Sequence, residues 1–247
     1  MEIIDSPSPN FNDRRLAEGA GPDMLILHYT DTKTAFEALS LLQSEEKQVS
    51  AHYLVDEDGT IYQLVAEDKR AWHAGVSYWD GETDINSRSI GIEIQNPGHG
   101  NGYRKFPEKQ MQAVAALCKE ILSRHDIPPH RVLGHSDIAP DRKRDPGELF
   151  DWKFLAKHGI GLWPDVTEDD RTHGGEFLKE MAAFGYNTGL PRDMLEDAFA
   201  QHFIRDDTKS ENPAALLAAL NRAKADTGGR TIPKRTENTA RRRPPKV

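Results

Sequence analysis

The sequence predicts an α/β fold followed by a small all-helical segment, and three observations carry that expectation. Two apolar runs, MLILHY at Met24–Tyr29 and RSIGIEIQ at residues 88–95, read as strands of a sheet. An amphipathic helix at residues 107–124 separates the second run from a third, short one at residues 131–133, so strands and helices alternate. After Trp163-Pro164 no strand pattern returns, and residues 177–184, 191–203 and 214–224 are helical in pattern.

The chain of 247 residues suits one medium domain plus a smaller one. Hydrophobic residues make up 37%, enough to build a core. The net charge of −8 argues against general binding to nucleic acid or membrane surfaces, which needs positive charge. One cysteine, Cys118, excludes an internal disulfide and fits a reducing compartment. No apolar run approaches the roughly 18 residues of a membrane span. The opening MEIIDSPSPNFNDRR has neither an apolar core nor a lipid-accepting cysteine, so a cytoplasmic protein is expected; a monomer is expected as well.

Taken in order, residues 1–22 are a polar lead-in rich in Pro, Gly and Asp. The strand at Met24–Tyr29 carries His28 on its Met24/Ile26 face, a position usually held by a hydrogen-bonded core histidine. Thr34-x-x-Glu37 is a capping box that opens a helix reaching Leu42. Residues 50–55 and 60–65 flank Asp56-Glu-Asp-Gly59, a hairpin signal. Residues 71–75 (AWHAG) form an aromatic turn in which Trp72 and His73 either line a cleft or pack a loop. In the strand at residues 88–95, Ile90, Ile92 and Ile94 face one way, and Ser89, Gly91 and Glu93 the other. That small-small-acid face leaves room above the sheet for something to bind beside Glu93. In the helix at residues 107–124, Met111, Val114, Cys118 and Ile121 form the buried stripe, which makes Cys118 a core residue. Pro128-Pro129 stops that helix. The tail from Gly228 is Pro-rich and basic, and is expected to be disordered.

The segment from His135 to Gly147, HSDIAPDRKRDPG, is too rich in proline and charge to be a buried strand or an ordinary helix. A loop this dense in metal-competent groups is a candidate site. Catalytic zinc takes three protein ligands and keeps a fourth position open. His135 and Asp145 can supply two of the three, with Lys143 facing a developing negative charge. A solvated surface loop is the alternative reading of the same residues.

Laid out together, these residues resemble the zinc-dependent N-acetylmuramoyl-L-alanine amidases of bacteria, relatives of the phage lysozyme-type amidases and the peptidoglycan recognition proteins. The resemblance is carried by LHYT around His28, QVSAHYLV from Gln48, AWHAGVS from Ala71, NSRSIGIEIQN from Asn86, GHSDIAPDRKRDPG from Gly134 and LFDWKFLAKHGIGLWPD from Leu149. It implies a central mixed β-sheet flanked by helices. It also implies one Zn2+ held by His28, His135 and Asp145, with catalytic roles for Glu93 and Lys143. Aspartate at the third ligand position is similar to the muropeptide amidase branch. The tyrosine of the phage-type branch would fall near Ala51 and is absent, which leaves its role to Glu93. Trp72, His73 and Asn96 are weaker candidates for contact with substrate.

The C-terminal segment resembles, more loosely, the helical peptidoglycan-binding-like module of one subgroup. The implied organisation is a catalytic domain at residues 1–165, a helical module at 166–226 and a basic tail at 227–247. The implied activity is hydrolysis of the amide between N-acetylmuramic acid, including 1,6-anhydro forms, and L-alanine in peptidoglycan fragments. A non-catalytic peptidoglycan-binding protein and a zinc peptidase acting on stem peptides remain as alternatives, the latter weakened by the absence of HExxH. Members with the helical module include outer-membrane lipoproteins, so the periplasm or outer membrane stands as the alternative location.

Overall fold

The structure is a computed structural model and describes residues 2–228; the expected disordered tail lies, from residue 229 onward, outside the described residues. The strands are β1 (Ile3–Asp5), β2 (Phe11–Asp13), β3 (Met24–Tyr29), β4 (Tyr53–Val55), β5 (Ile61–Gln63), β6 (Lys69–Ala71), β7 (Ser89–Ile94) and β8 (Val132–Gly134). The helices are α1 (Ala35–Leu42), α2 (Ile85–Arg88), α3 (Glu108–Arg124), α4 (His135–Ile138), α5 (Trp152–Lys157), α6 (Glu168–His173), α7 (Phe177–Phe184), α8 (Arg192–Phe203) and α9 (Pro213–Gly228).

Six strands form one mixed sheet in the order β1-β5-β4-β7-β3-β8, and β2 and β6 form a separate antiparallel pair. The expected hairpin is present as antiparallel β4 and β5. The three strands that matter for function, β7, β3 and β8, lie side by side and parallel. Thr34 caps α1 by accepting the Glu37 N–H at 3.2 Å, but Glu37 reaches back to the N–H of Lys33, at 3.0 Å, rather than to that of Thr34.

Strand periodicity divides the core between the two faces of the sheet. On one face Leu25, Leu27, Ile90, Ile92 and Ile94 pack against the α3 stripe of Met111, Val114, Cys118 and Ile121. On the other, Met24, Ile26 and Leu133 pack with Ile138, Phe184, Phe199, Phe203 and Leu216. Phe199, Phe203 and Leu216, which lie in the C-terminal helices, therefore share a core with the sheet. The C-terminal helices are its second covering layer.

A chain ending at Asp165 would uncover Met24, Ile26, Leu133 and Ile138, each buried to within 1% exposure. At about 1.5–3 kcal/mol per large apolar side chain the loss is roughly 6–12 kcal/mol. Whole domains are stable by only about 5–15 kcal/mol. Urea denaturation followed by circular dichroism is expected to show no cooperative transition for this truncated chain; a sharp transition would establish residues 1–165 as an independent unit.

Candidate functional site

Three parallel strands deliver their C-terminal ends to one edge, where ligands collect in open α/β sheets. His28 is the penultimate residue of β3, and Glu93 lies directly opposite it on β7. β8 runs without a break into α4, whose first residue is His135. The following loop doubles back, closed by the Ser136 N–H donating to the Asp145 carbonyl at 2.9 Å. Tyr103 braces its far side, donating its hydroxyl to the Pro146 carbonyl at 2.7 Å. Gly147 makes that approach possible, since its φ is +80° and a Cβ there would stand 2.5 Å from the Tyr103 oxygen.

His28 Nδ1, His135 Nδ1 and Asp145 Oδ2 form a triangle with sides of 2.9, 3.0 and 3.0 Å. All three residues are buried, and they are the one group of at least three His, Cys, Asp or Glu side chains among the described residues placed to hold a metal ion. Their outer hydrogen bonds show which atoms carry protons. His135 donates from Nε2 to the Ala74 carbonyl at 3.1 Å, which leaves a lone pair on its Nδ1. His28 Nε2 stands 3.0 Å from His73 Nδ1, and His73 Nε2 stands 3.1 Å from the Ser89 hydroxyl. That hydroxyl gives its own proton to the Ile85 carbonyl at 2.7 Å, so protons run from His28 to His73 and from His73 to Ser89. Two imidazole lone pairs and a carboxylate oxygen thus converge with no proton among them. A single small cation fits this donor set.

Burial, reinforced by His135, pushes His28 down to about 4. Burial works against the Asp145 carboxylate, yet the His135 and His28 rings together hold it below the ordinary carboxylate range. Burial, then the neighbouring Asp145 charge, drives Glu93 well above that range, while Lys143 pulls it back. The Glu93 Oε2 atom is buried without a hydrogen-bond partner.

These residues line a cleft of about 450 Å³ that also contains Lys143. Lys143 makes no ion pair among the described residues. Trp72 lines the cleft on a partly apolar wall with Ala38, Leu41, Leu42 and Val49. His73 also reaches the lining, but it is chiefly buried beneath the site, over Gly91. The room foreseen beside Glu93 is therefore partly filled by the protein's own imidazole. Asn96 is fully buried and absent from the cleft lining, and its amide donates to the Arg104 carbonyl at 2.8 Å to hold the following loop. Sequence reasoning missed Tyr29, Asp31, His99, Arg142 and Arg144, which also line the cleft. Arg142 and Arg144 flank Lys143 and were legible as charge; His99 sits in a glycine-rich turn with no pattern to mark it.

Behind the site Asp137 is buried at 1% exposure. It accepts the Gly134 N–H at 2.7 Å, the Tyr186 hydroxyl at 2.5 Å and a proton from His202 Nδ1 at 2.7 Å. The C-terminal helices thereby grip α4 two residues from His135, and the His202 ring stacks on Trp152 with centroids 3.8 Å apart.

A protein-family model described as N-acetylmuramoyl-L-alanine amidase matches residues 18–148. The chain is 42% identical over 230 residues to the N-acetylmuramoyl-L-alanine amidase AmiD of Escherichia coli, covering 81% of this chain and 82% of that one. It is 44% identical over 121 residues to the 1,6-anhydro-N-acetylmuramyl-L-alanine amidase AmpD of Salmonella typhimurium, covering 49% of this chain and 63% of AmpD. In structure it is similar to Escherichia coli AmiD in complex with the substrate anhydro-N-acetylmuramic acid-L-Ala-D-gamma-Glu-L-Lys, with a TM-score of 0.71, 35% identity, and 87% and 94% of the two chains covered. Pseudomonas aeruginosa AmpDh3 gives a TM-score of 0.70 at 32% identity, covering 87% of this chain and 97% of that one.

Proposed function

The chain belongs to the N-acetylmuramoyl-L-alanine amidase family, and from that premise we propose that His28, His135 and Asp145 hold one zinc ion beside which Glu93 and Lys143 act on the scissile amide. The enzyme hydrolyses the bond between N-acetylmuramic acid, including its 1,6-anhydro form, and L-alanine in peptidoglycan fragments. The observation that carries the proposal is the convergence of two proton-free imidazole nitrogens and a carboxylate oxygen within 3.0 Å of one another, directly across from an unpartnered carboxylate.

Zinc, when bound, supplies Lewis acidity that polarises the amide carbonyl and acidifies water. Glu93 accepts the proton of the attacking water and returns it to the leaving amine of L-alanine. Its place opposite His28 in the parallel register puts it beside the reacting atoms, and its buried oxygen has no competing partner. Lys143 faces the oxyanion that forms at the former carbonyl, and losing such a group typically costs on the order of 100-fold or more in turnover. Leu41, Val49 and Trp72 give that side of the cleft an apolar surface against which a substrate can pack.

Product analysis on a purified anhydro-muropeptide tests the reaction. Release of a free peptide headed by L-alanine, together with the intact anhydro-sugar, is expected; cleavage within the stem peptide would point to a peptidase, and tight binding without turnover to a binding protein. For location the proposal is the cytoplasm, where soluble fragments would be the substrate. A competition assay between anhydro-muropeptides and intact sacculi is expected to favour the former, and efficient release of peptides from sacculi by a periplasmic fraction would overturn it.

A further inference from the structure

Resting on the reading of His28 as a metal ligand, we propose that His73 is a positioning residue which, together with Ser89, fixes the tautomer and orientation of the His28 imidazole and so turns its Nδ1 lone pair toward the metal. The chain of donors has one direction. The single hydroxyl proton of Ser89 goes to the Ile85 carbonyl at 2.7 Å, so the Ser89 oxygen accepts from His73 Nε2 at 3.1 Å. His73 then offers Nδ1 as acceptor to His28 Nε2 at 3.0 Å. His28 is left with a bare Nδ1, the atom that meets His135 and Asp145. Running the chain the other way would leave the Ile85 carbonyl without this donor and put a proton on His28 Nδ1, where a metal must bind.

Packing enforces the arrangement. His28, His73 and Ser89 are all buried, so bulk water does not replace a missing partner. The His73 ring lies over Gly91 so closely that a Cβ there would stand 2.5 Å from its Cγ. The side-chain oxygen of Asn86 pins the turn by accepting the N–H groups of His73 at 3.0 Å and Ala74 at 2.8 Å. Adjacent residues of that turn orient both imidazoles, His73 through its ring and Ala74 through its carbonyl, 3.1 Å from His135 Nε2. The face Ser89-Gly91-Glu93 of β7 divides its work accordingly: an acceptor for His73, a space for its ring, and the carboxylate of the cleft.

The test combines zinc dissociation constants from chelator competition, thermal unfolding of the metal-free chain, and long-range 1H–15N NMR of the histidine tautomers. In the metal-free wild type, His28 is expected to be protonated at Nε2. His73→Phe fills the space over Gly91 but offers no acceptor, so zinc affinity is expected to fall roughly 10- to 100-fold, while the metal-free chain still unfolds cooperatively at a melting temperature lowered by a few degrees for the unpartnered His28 N–H. His73→Gln, whose amide oxygen accepts a proton, should recover part of that loss, and Ser89→Ala should weaken zinc binding less than His73→Phe does. Zinc affinity in His73→Phe within about threefold of wild type, well short of the outer-group effect, would overturn the proposal. So would a metal-free wild type with His28 protonated at Nδ1. Should His73→Phe not fold, unchanged affinity and an unchanged His28 tautomer in Ser89→Ala would do the same. A wild-type chain that binds no zinc would instead overturn the reading of His28 as a ligand, and the NMR result would still decide the orientation.

Discussion

Replacing Glu93 with alanine leaves the metal and the fold in place and lowers turnover on the order of 100- to 10,000-fold, the range a positioned general base contributes. The argument is geometric first. Glu93 sits across from His28 in register, lines the cleft, and has a buried oxygen that no protein group satisfies. It is not one of the three converging donors, so its removal takes no ligand away. Its raised proton affinity, caused by burial and then by Asp145, suits a group that must take up a proton during the reaction. Measuring kcat alongside zinc content and melting temperature checks the result. Turnover near the wild-type rate would require another base. His73, the nearest other imidazole in the cleft lining that is not a converging donor, has both ring nitrogens engaged with His28 and Ser89.

His135→Ala is expected to empty the site. It removes one of three donors and leaves the Ala74 carbonyl without the imidazole proton it accepts. Loss of an outer supporting group alone costs about 10- to 100-fold in metal affinity, so loss of a direct donor should exceed that and abolish measurable hydrolysis. Metal analysis after dialysis should fall from about one zinc per chain, the occupancy of a single three-ligand site with an open fourth position, to a trace. Full occupancy with activity intact would remove His135 from the site. His135→Ala and Glu93→Ala therefore separate by metal content, although both lose activity.

The helix stripe of Met111, Val114, Cys118 and Ile121 and the alternation of β7 were legible because each is a local periodicity that the chain repeats within a few residues. The segment from His135 to Gly147 declared itself as a site by its dense metal-competent and charged groups, but its first four residues form the short buried helix α4, which composition alone argued against, and only the rest is loop. What the helices at the C-terminus pack against was not legible. An apolar stripe says that a face is buried, not what lies opposite, and only the folded chain brings Phe199 and Phe203 to the Met24/Ile26 face of β3. The contacts of His73 beneath the site were not legible for a related reason. Its partners, Ser89 and His28, lie 16 and 45 residues away, and the small residues opposite looked like room for a ligand rather than for the protein's own ring. Asn96 stood near strong motifs in sequence, but its side chain is spent on closing a loop.

The three partners of Asp137 set a rule for anyone recombining this enzyme with its relatives. Gly134 and Asp137 come from the segment that carries His135, whereas Tyr186 and His202 come from the last third of the chain. A chimaera joined near residue 165 inherits the two halves of one buried ion network from different parents. If the donor lacks a tyrosine and a histidine at those places, a buried carboxylate is left with only the Gly134 N–H as partner, two residues from His135. The workable crossover is one that carries position 137 together with positions 186 and 202, so the unit of exchange is this triad and not the visible break in sequence character at Trp163-Pro164.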